Sequence, residues 1–226
     1  MALLLPLSQA AAQQPDAAQI LERSRELSIT GSLSAKLHLA ITEKNGAMRN
    51  RTISMISKSY PEGTEKRMIR FIEPADVKGT AMLVVDNKNA ADEMWIYLPA
   101  LKKTRRIVSS EKGKSFMSSE FSNADMSSPA PSDFKSRHLD KSGQNGQWII
   151  ESIPADDKKA DEYGYSRKIS YIRISDHQVT KMEFYNFDNV LYKIIEIKNI
   201  QNLSGGKFLI QDMVSENLIT KRKSEI

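Results

Sequence analysis

The sequence predicts a mainly β protein: an unclosed antiparallel half-barrel, with an N-terminal helix and a central helical or loop lid over an apolar cavity. Three observations predict it. Roughly ten short apolar-alternating segments follow one another, separated by turn signals. A sheet that large twists and curls, since flat sheets of many strands are unusual. Only one amphipathic helix and one Ser-rich middle segment are available to cover it, so the curled sheet encloses volume for side chains or a ligand.

The elements follow in order. Asp16 sits where an N-cap belongs, and Ala17, Ile20, Leu21, Ser24 and Leu27 recur at helical spacing up to Gly31. The period then changes to two. Leu33, Ala35, Leu37, Leu39 and Ile41 share a face, and Asn45-Gly46 signals a hairpin into "MRNRTISMISKSY". "EKRMIRFIE" ends at Pro74; "TAMLVVDN", "EMWIYLP" and "TRRIVSS" complete a meander. Residues 109–136 are rich in Ser, Pro and charge, with a short helix around Glu120–Met126 inside a long loop. Strands resume at Phe134 and "QWIIESIP". "ADDKKADEYG" reads as a solvated loop or short helix. Further strands turn at Asp176-His177, Asp188-Asn189 and Gly205-Gly206, and "TKRKSEI" is expected to fray.

Composition narrows the function. The 226 residues carry a net charge of +5, a balance that favours anionic partners without choosing among them. The absence of cysteine excludes disulfides, thiolate metal sites, a Cys nucleophile and a lipid anchor. Three scattered histidines, His38, His138 and His177, argue against a metal site, and His138 is expected to face solvent. There is no Gly-rich phosphate loop, no G-x-S-x-G elbow and no paired His motif. The acidic run Asp156, Asp157, Asp161 and Glu162 reads as a solubilising surface. The expectation is therefore a binding protein without catalytic residues, metal or cofactor. "MALLLPLSQAAAQQPD" combines a short apolar run with an A-x-A pattern, so residues 1–12 read as the remnant of a signal peptide cleaved near Ala12. Residues 13–226 then form a single exported, periplasmic domain, expected to be a monomer.

Ten methionines, among them Met48, Met55, Met68, Met82, Met94, Met117, Met126, Met182 and Met213, are spread over strands and loop. They serve either as ordinary core or as an adaptable apolar lining. In "EMWIYLP", Met94, Ile96 and Leu98 share one face and are assigned inward. Trp95 and Tyr97, on the other face, keep a polar tip wet at the rim. The basic cluster Lys102, Lys103, Arg105 and Arg106 then meets headgroups or an acidic partner at the mouth; without a stacking platform it does not suggest nucleic acid.

"RFIEPADVKGTAMLVVD", "DEMWIYLPALKKTRRI" and "KSFMSSEFSNADM" resemble the outer-membrane lipoprotein-sorting protein group of the LolA/LolB-like superfamily. The match carries Phe71 with Pro74, Lys78-Gly79-Thr80, Trp95 to Pro99 with Arg105-Arg106, and Ser115-Phe116-Met117 with Phe121 and Asp125. The resemblance implies a half-barrel curled round a cavity for the acyl chains of a lipoprotein or lipid. The chain would be a periplasmic carrier between inner and outer membranes, touching membranes only transiently, with an RND-type inner-membrane exporter as donor partner. The alternative is a lipoprotein-sensing or interaction module that regulates a membrane partner. The cavity and lid would comprise Met55, Met82, Val84, Met94, Ile96, Leu98, Phe116, Met117, Phe121, Met126, Met182 and Phe184. One departure stands out: the group often has Gly where this chain has Ser118, which makes the loop after Phe116 less permissive.

Overall fold

The computed structural model describes residues 14–28, 31–87 and 90–226. Residues 1–12, expected to be a signal-peptide remnant, lie outside them. Helix α1 spans Ala17–Ser28. The Asp16 carboxylate accepts hydrogen bonds from the backbone N–H of Ala18 (2.9 Å) and Gln19 (3.3 Å), as an N-cap does. Six strands follow: β1 (Ser32–Thr42), β2 (Met48–Ser59), β3 (Glu65–Glu73), β4 (Ala81–Asp86), β5 (Glu93–Leu98) and β6 (Lys103–Ile107). After the central segment come β7 (Phe134–His138), β8 (Gln147–Pro154), β9 (Arg167–Arg173), β10 (Val179–Tyr185), β11 (Leu191–Asn202), β12 (Phe208–Asn217) and β13 (Arg222–Glu225). Two short helices are α2 (Ser109–Lys112) and α3 (Asp157–Tyr163).

All thirteen strands form one antiparallel sheet in the order β6-β5-β4-β3-β2-β1-β13-β12-β11-β10-β9-β8-β7. Each half is a meander, as the turn signals predict. The outermost strands β6 and β7 do not pair, so the sheet stays open. The fold class read from the sequence is thus borne out, with more strands than the segments suggested. The tail expected to fray does the opposite. β13 is the seam between the halves, pairing with β1 through Ala40–Thr42 and with β12 through Val214–Asn217. Ser224 within it is completely buried.

Two apolar clusters fill the concave side. The larger unites Leu39, Ile41, Ile53, Phe71, Val84 and Met94 of the first half with Phe116, Phe121 and Met126 of the central segment. Register explains it: Met55, Ile69, Met82 and Ile96 stand opposite one another across β2 to β5, and Val84, Met94 and Ile107 across β4 to β6. The smaller cluster is α1 on the other half, with Ala17 and Ile20 against Trp148, Ile150 and Ile172.

The acidic run is α3, capped by the Asp156 carboxylate on the N–H of Lys159 (2.8 Å). It is not wholly solvated. Glu162 and Tyr163 are buried, and Glu162 pairs with Lys112 of α2 at 2.5 Å. The two helices meet so closely that a Cβ on Gly113 would lie 2.8 Å from the Gly164 Cα. His138 likewise does not face solvent alone. Its ring bonds the Pro15 carbonyl (2.8 Å) and the Ser142 hydroxyl (2.8 Å), tying the segment before α1 to β7.

Candidate functional site

The two halves of the concave face are covered differently. Over β1–β5 the central segment is pinned down. The Arg51 guanidinium donates to the Met117 carbonyl, and Arg222 donates to that of Ser118 (2.9 Å) and pairs with Glu120 at 2.7 Å. Ser224 accepts from the Glu120 N–H (2.9 Å), and Ser215 donates to the Glu120 carbonyl (2.9 Å). Arg67 donates to the Met126 carbonyl, and Lys193 pairs with Asp125 at 2.8 Å. Met117 and Ser118 both adopt positive φ, +49° and +64°. Ser118 thus occupies the backbone conformation that glycine tolerates best, which gives the resemblance's glycine a physical reason.

Beyond this segment the cover thins. A cavity of about 280 Å³ lies between α1, residues 127–131 and strands β8–β10, with Leu21, Phe134, Lys168, Ser170 and Met182 among its walls. A second, also about 280 Å³, runs toward the first half between Leu33, Leu37, Met55, Ile69, Ile197 and Met213. Ser28, Met182 and Ile210 border both, so the two form adjoining chambers of one groove. Each is near the lower end of the roughly 300–1,000 Å³ of ligand pockets.

The expected lining residues divide accordingly. Met55, Phe116, Met126 and Met182 border the groove. Met82, Val84, Met94, Phe121 and Phe184 are packed solid within the core instead, each at most 2% exposed, because the pinned segment and neighbouring strands leave them no open face. Ile96 and Met117 pack part-buried against that core, and Leu98 is part-buried at the end of β5. The rim residues cluster on the first sheet edge. Trp95 stands opposite Leu83 and Arg106 on the outer face, with the Arg106 guanidinium 6.0 Å over its ring; Tyr97 is exposed. Arg105 pairs with Glu111 at 2.7 Å and Arg106 with Glu93 at 3.4 Å, while Lys102 and Lys103 are exposed. This basic edge is on the opposite side of the sheet order from β8–β10, so the structure does not bring it to the first chamber.

The charges within the groove are unequal. Arg67 pairs with Glu65 at 2.9 Å, and Arg25 with Glu22 at 2.7 Å; the hydrogen bonds that Arg25 donates to Glu22 hold its guanidinium above its ordinary range. Among the described residues Lys168 has no ion pair or side-chain hydrogen bond, and it lies 5.3 Å over the Phe134 ring. Burial lowers its ammonium to about 8. Asp86, beside Ser128, is the other buried charge of note: burial raises its carboxyl to about 7, and its Oδ1 has no hydrogen-bond partner among the described residues. Neither residue was singled out by sequence reasoning. Among the described residues no group of three His, Cys, Asp or Glu could hold a metal ion, and no helix is long and apolar enough to cross a membrane.

An open antiparallel sheet with a helix and a folded-in segment over an apolar groove defines a LolA-like half-barrel. Solved structures agree. A domain from Vibrio parahaemolyticus assigned as an outer membrane lipoprotein-sorting protein is 26% identical, with TM-score 0.83, covering 92% of this chain and 88% of that one. A DUF1329 family protein from Desulfovibrio piger is 24% identical with TM-score 0.81, over 92% and 88%. A LolA superfamily protein from Nitrosomonas europaea shares the fold at 18% identity and TM-score 0.71, over 94% and 90%. The resemblance to the lipoprotein-sorting group of the LolA/LolB-like superfamily therefore holds. A family model described as an uncharacterized protein matches residues 63–226, and the chain belongs to that family. A search of curated proteins found no match.

Proposed function

We propose that the protein is a periplasmic carrier that takes acyl chains of a lipoprotein or lipid into the groove and moves them between inner and outer membranes. One observation carries this reading: two adjoining apolar chambers under the concave face of a sheet whose edges remain unpaired. Each buried CH₂ contributes about 0.8 kcal/mol, so a chain laid through Met182 and between Met55 and Met213 gains several kcal/mol before ordering costs. Met55, Met126, Met182 and Met213 give the walls flexible side chains that adapt to different chains. The similarity to the Vibrio domain supports the lipoprotein class, and export follows from that reading. Exposed Lys102 and Lys103, where β5 turns into β6, and Arg106 over the Trp95 ring supply cations suited to anionic headgroups during brief membrane contact. An RND-type exporter would be the donor in this scheme, a point on which the matched proteins are silent.

The test is displacement of a neutral fluorescent probe by lipid extract. Leu37→Asp and Met55→Asp put a charge into the second chamber and are expected to abolish probe binding while far-ultraviolet circular dichroism stays unchanged. If both folded variants bind like wild type, or wild type binds nothing, the reading is wrong.

A further inference from the structure

Among the described residues, the groove contains one cation without an ion pair, Lys168. On β9 to β11, Lys168, Phe184 and Lys193 stand side by side in register, so the two lysines flank one aromatic ring on the same face of the sheet. Their surroundings differ. Lys193 is buried, lies 4.2 Å over Phe184 and is paired with Asp125 of the central segment. Lys168 makes no ion pair and no side-chain hydrogen bond among the described residues, and it borders the first chamber beside Ser152 and Ser170. A part-buried ammonium without an anion is unfavourable, and an apolar residue of similar length would fit there at lower cost. Its ammonium nevertheless stays largely protonated at neutral pH despite being lowered to about 8 by burial. Asp125, the acidic group that acts on it, is already committed to Lys193.

We propose that Lys168 is the anchor for an anionic head, so that the ligand is an acyl chain ending in a carboxylate or phosphate that enters head-first into the first chamber. This rests on the acyl-binding reading above and adds to it the chemistry of the head and its direction. The head lies between Lys168, Ser152 and Ser170; the chain passes Met182 into the second chamber, toward Met55 and Met213. The first chamber thus holds an unpaired cation, whereas the charges bordering the second are paired, Arg67 with Glu65 and Asp125 with Lys193, an asymmetry that a diffuse grease-binding groove does not need.

The experiment measures displacement of a neutral naphthylamine probe by hexadecanoate, hexadecyl phosphate and hexadecanol, for wild type, Lys168→Met and Lys168→Arg, with inorganic phosphate alone as a further competitor. Wild type is expected to bind the two anionic amphiphiles about ten-fold tighter than the alcohol, the worth of one charge-assisted hydrogen bond. Lys168→Met should abolish that preference by weakening the anions while leaving hexadecanol unchanged; Lys168→Arg should keep it. The stronger of the two anions identifies the head, and weak competition by phosphate alone is expected because the chain supplies most of the affinity. Equal binding of alcohol and anions by wild type would overturn the anchor and leave the acyl reading standing. Equal loss for all three ligands in Lys168→Met would also overturn it, as a purely structural effect. If no amphiphile displaces the probe, the acyl reading falls and the anchor with it. The wild-type comparison decides the question even if a variant does not fold.

Discussion

The two halves of the sheet share one topology and differ in how their concave faces are closed. Over β1–β5 the central segment is driven into place, with Phe116 and Phe121 at most 1% exposed, Lys193 paired with Asp125, Arg222 with Glu120, and Arg51 bonded to the Met117 carbonyl. Over β7–β12, α1 and residues 127–131 cover the face incompletely and leave a chamber with an unpaired lysine. The difference separates two uses of the same architecture: the face sealed by the central segment holds the fold together, and the groove beside it, from β8–β10 across to Leu37 and Met55, is shaped to be occupied.

The largest effects should come from the two lysines. Lys193→Met leaves Asp125 without its partner, and a broken buried pair costs about 3–5 kcal/mol. Lys168→Met removes a charge that has no partner and should leave the empty protein equally or more stable. Urea unfolding at pH 7 checks both; a similar loss in the two variants would erase the contrast. Phe116→Ala should likewise cost about 3–5 kcal/mol, since the fully buried ring packs 5.7 Å from Phe71. Met182→Ala, facing open space, should cost clearly less in the same melts.

Next in size is a pH effect from Asp86. Its carboxyl is raised to about 7 by burial, well above the ordinary carboxylate range of the unfolded chain. The folded protein therefore binds an extra proton between those two values. Its contribution to stability is present at acid pH and lost as pH rises through about 7. Thermal melts from pH 5 to 8 should show wild type losing stability by more than Asp86→Asn does, a few kcal/mol at most. Parallel curves would mean that Asp86 is not protonated in the fold. The smallest change expected is Ser118→Gly. Relief of a left-handed backbone is offset by the flexibility glycine adds to the unfolded chain, so a gain of no more than about 1 kcal/mol should appear.

Much of the frame was legible because it is local. Period-two alternation, Asn45-Gly46 and the Asp16 cap each act within a few residues, and the structure has them all. What was illegible depends on distant pairing. "TKRKSEI" lacks an apolar alternation, yet it is the seam because β1 and β12 both present backbone edges to it. Glu162 looked solvated because its partner, Lys112, lies fifty residues away. Alternation assigned Met94 inward, but only the fold shows that the central segment packs against it and closes it into the core. Lys168 escaped notice because a lysine alternating with apolar Ile169 and Tyr171 carries no local sign of facing inward.

The central claim, that this open half-barrel holds an acyl chain, is tested most directly by native mass spectrometry of the protein recovered from cells without detergent. The account predicts a fraction carrying one discrete adduct of lipid mass, released as an anion and absent from the Met55→Asp variant. A bare protein mass in every preparation, together with no uptake of added amphiphile, would contradict it.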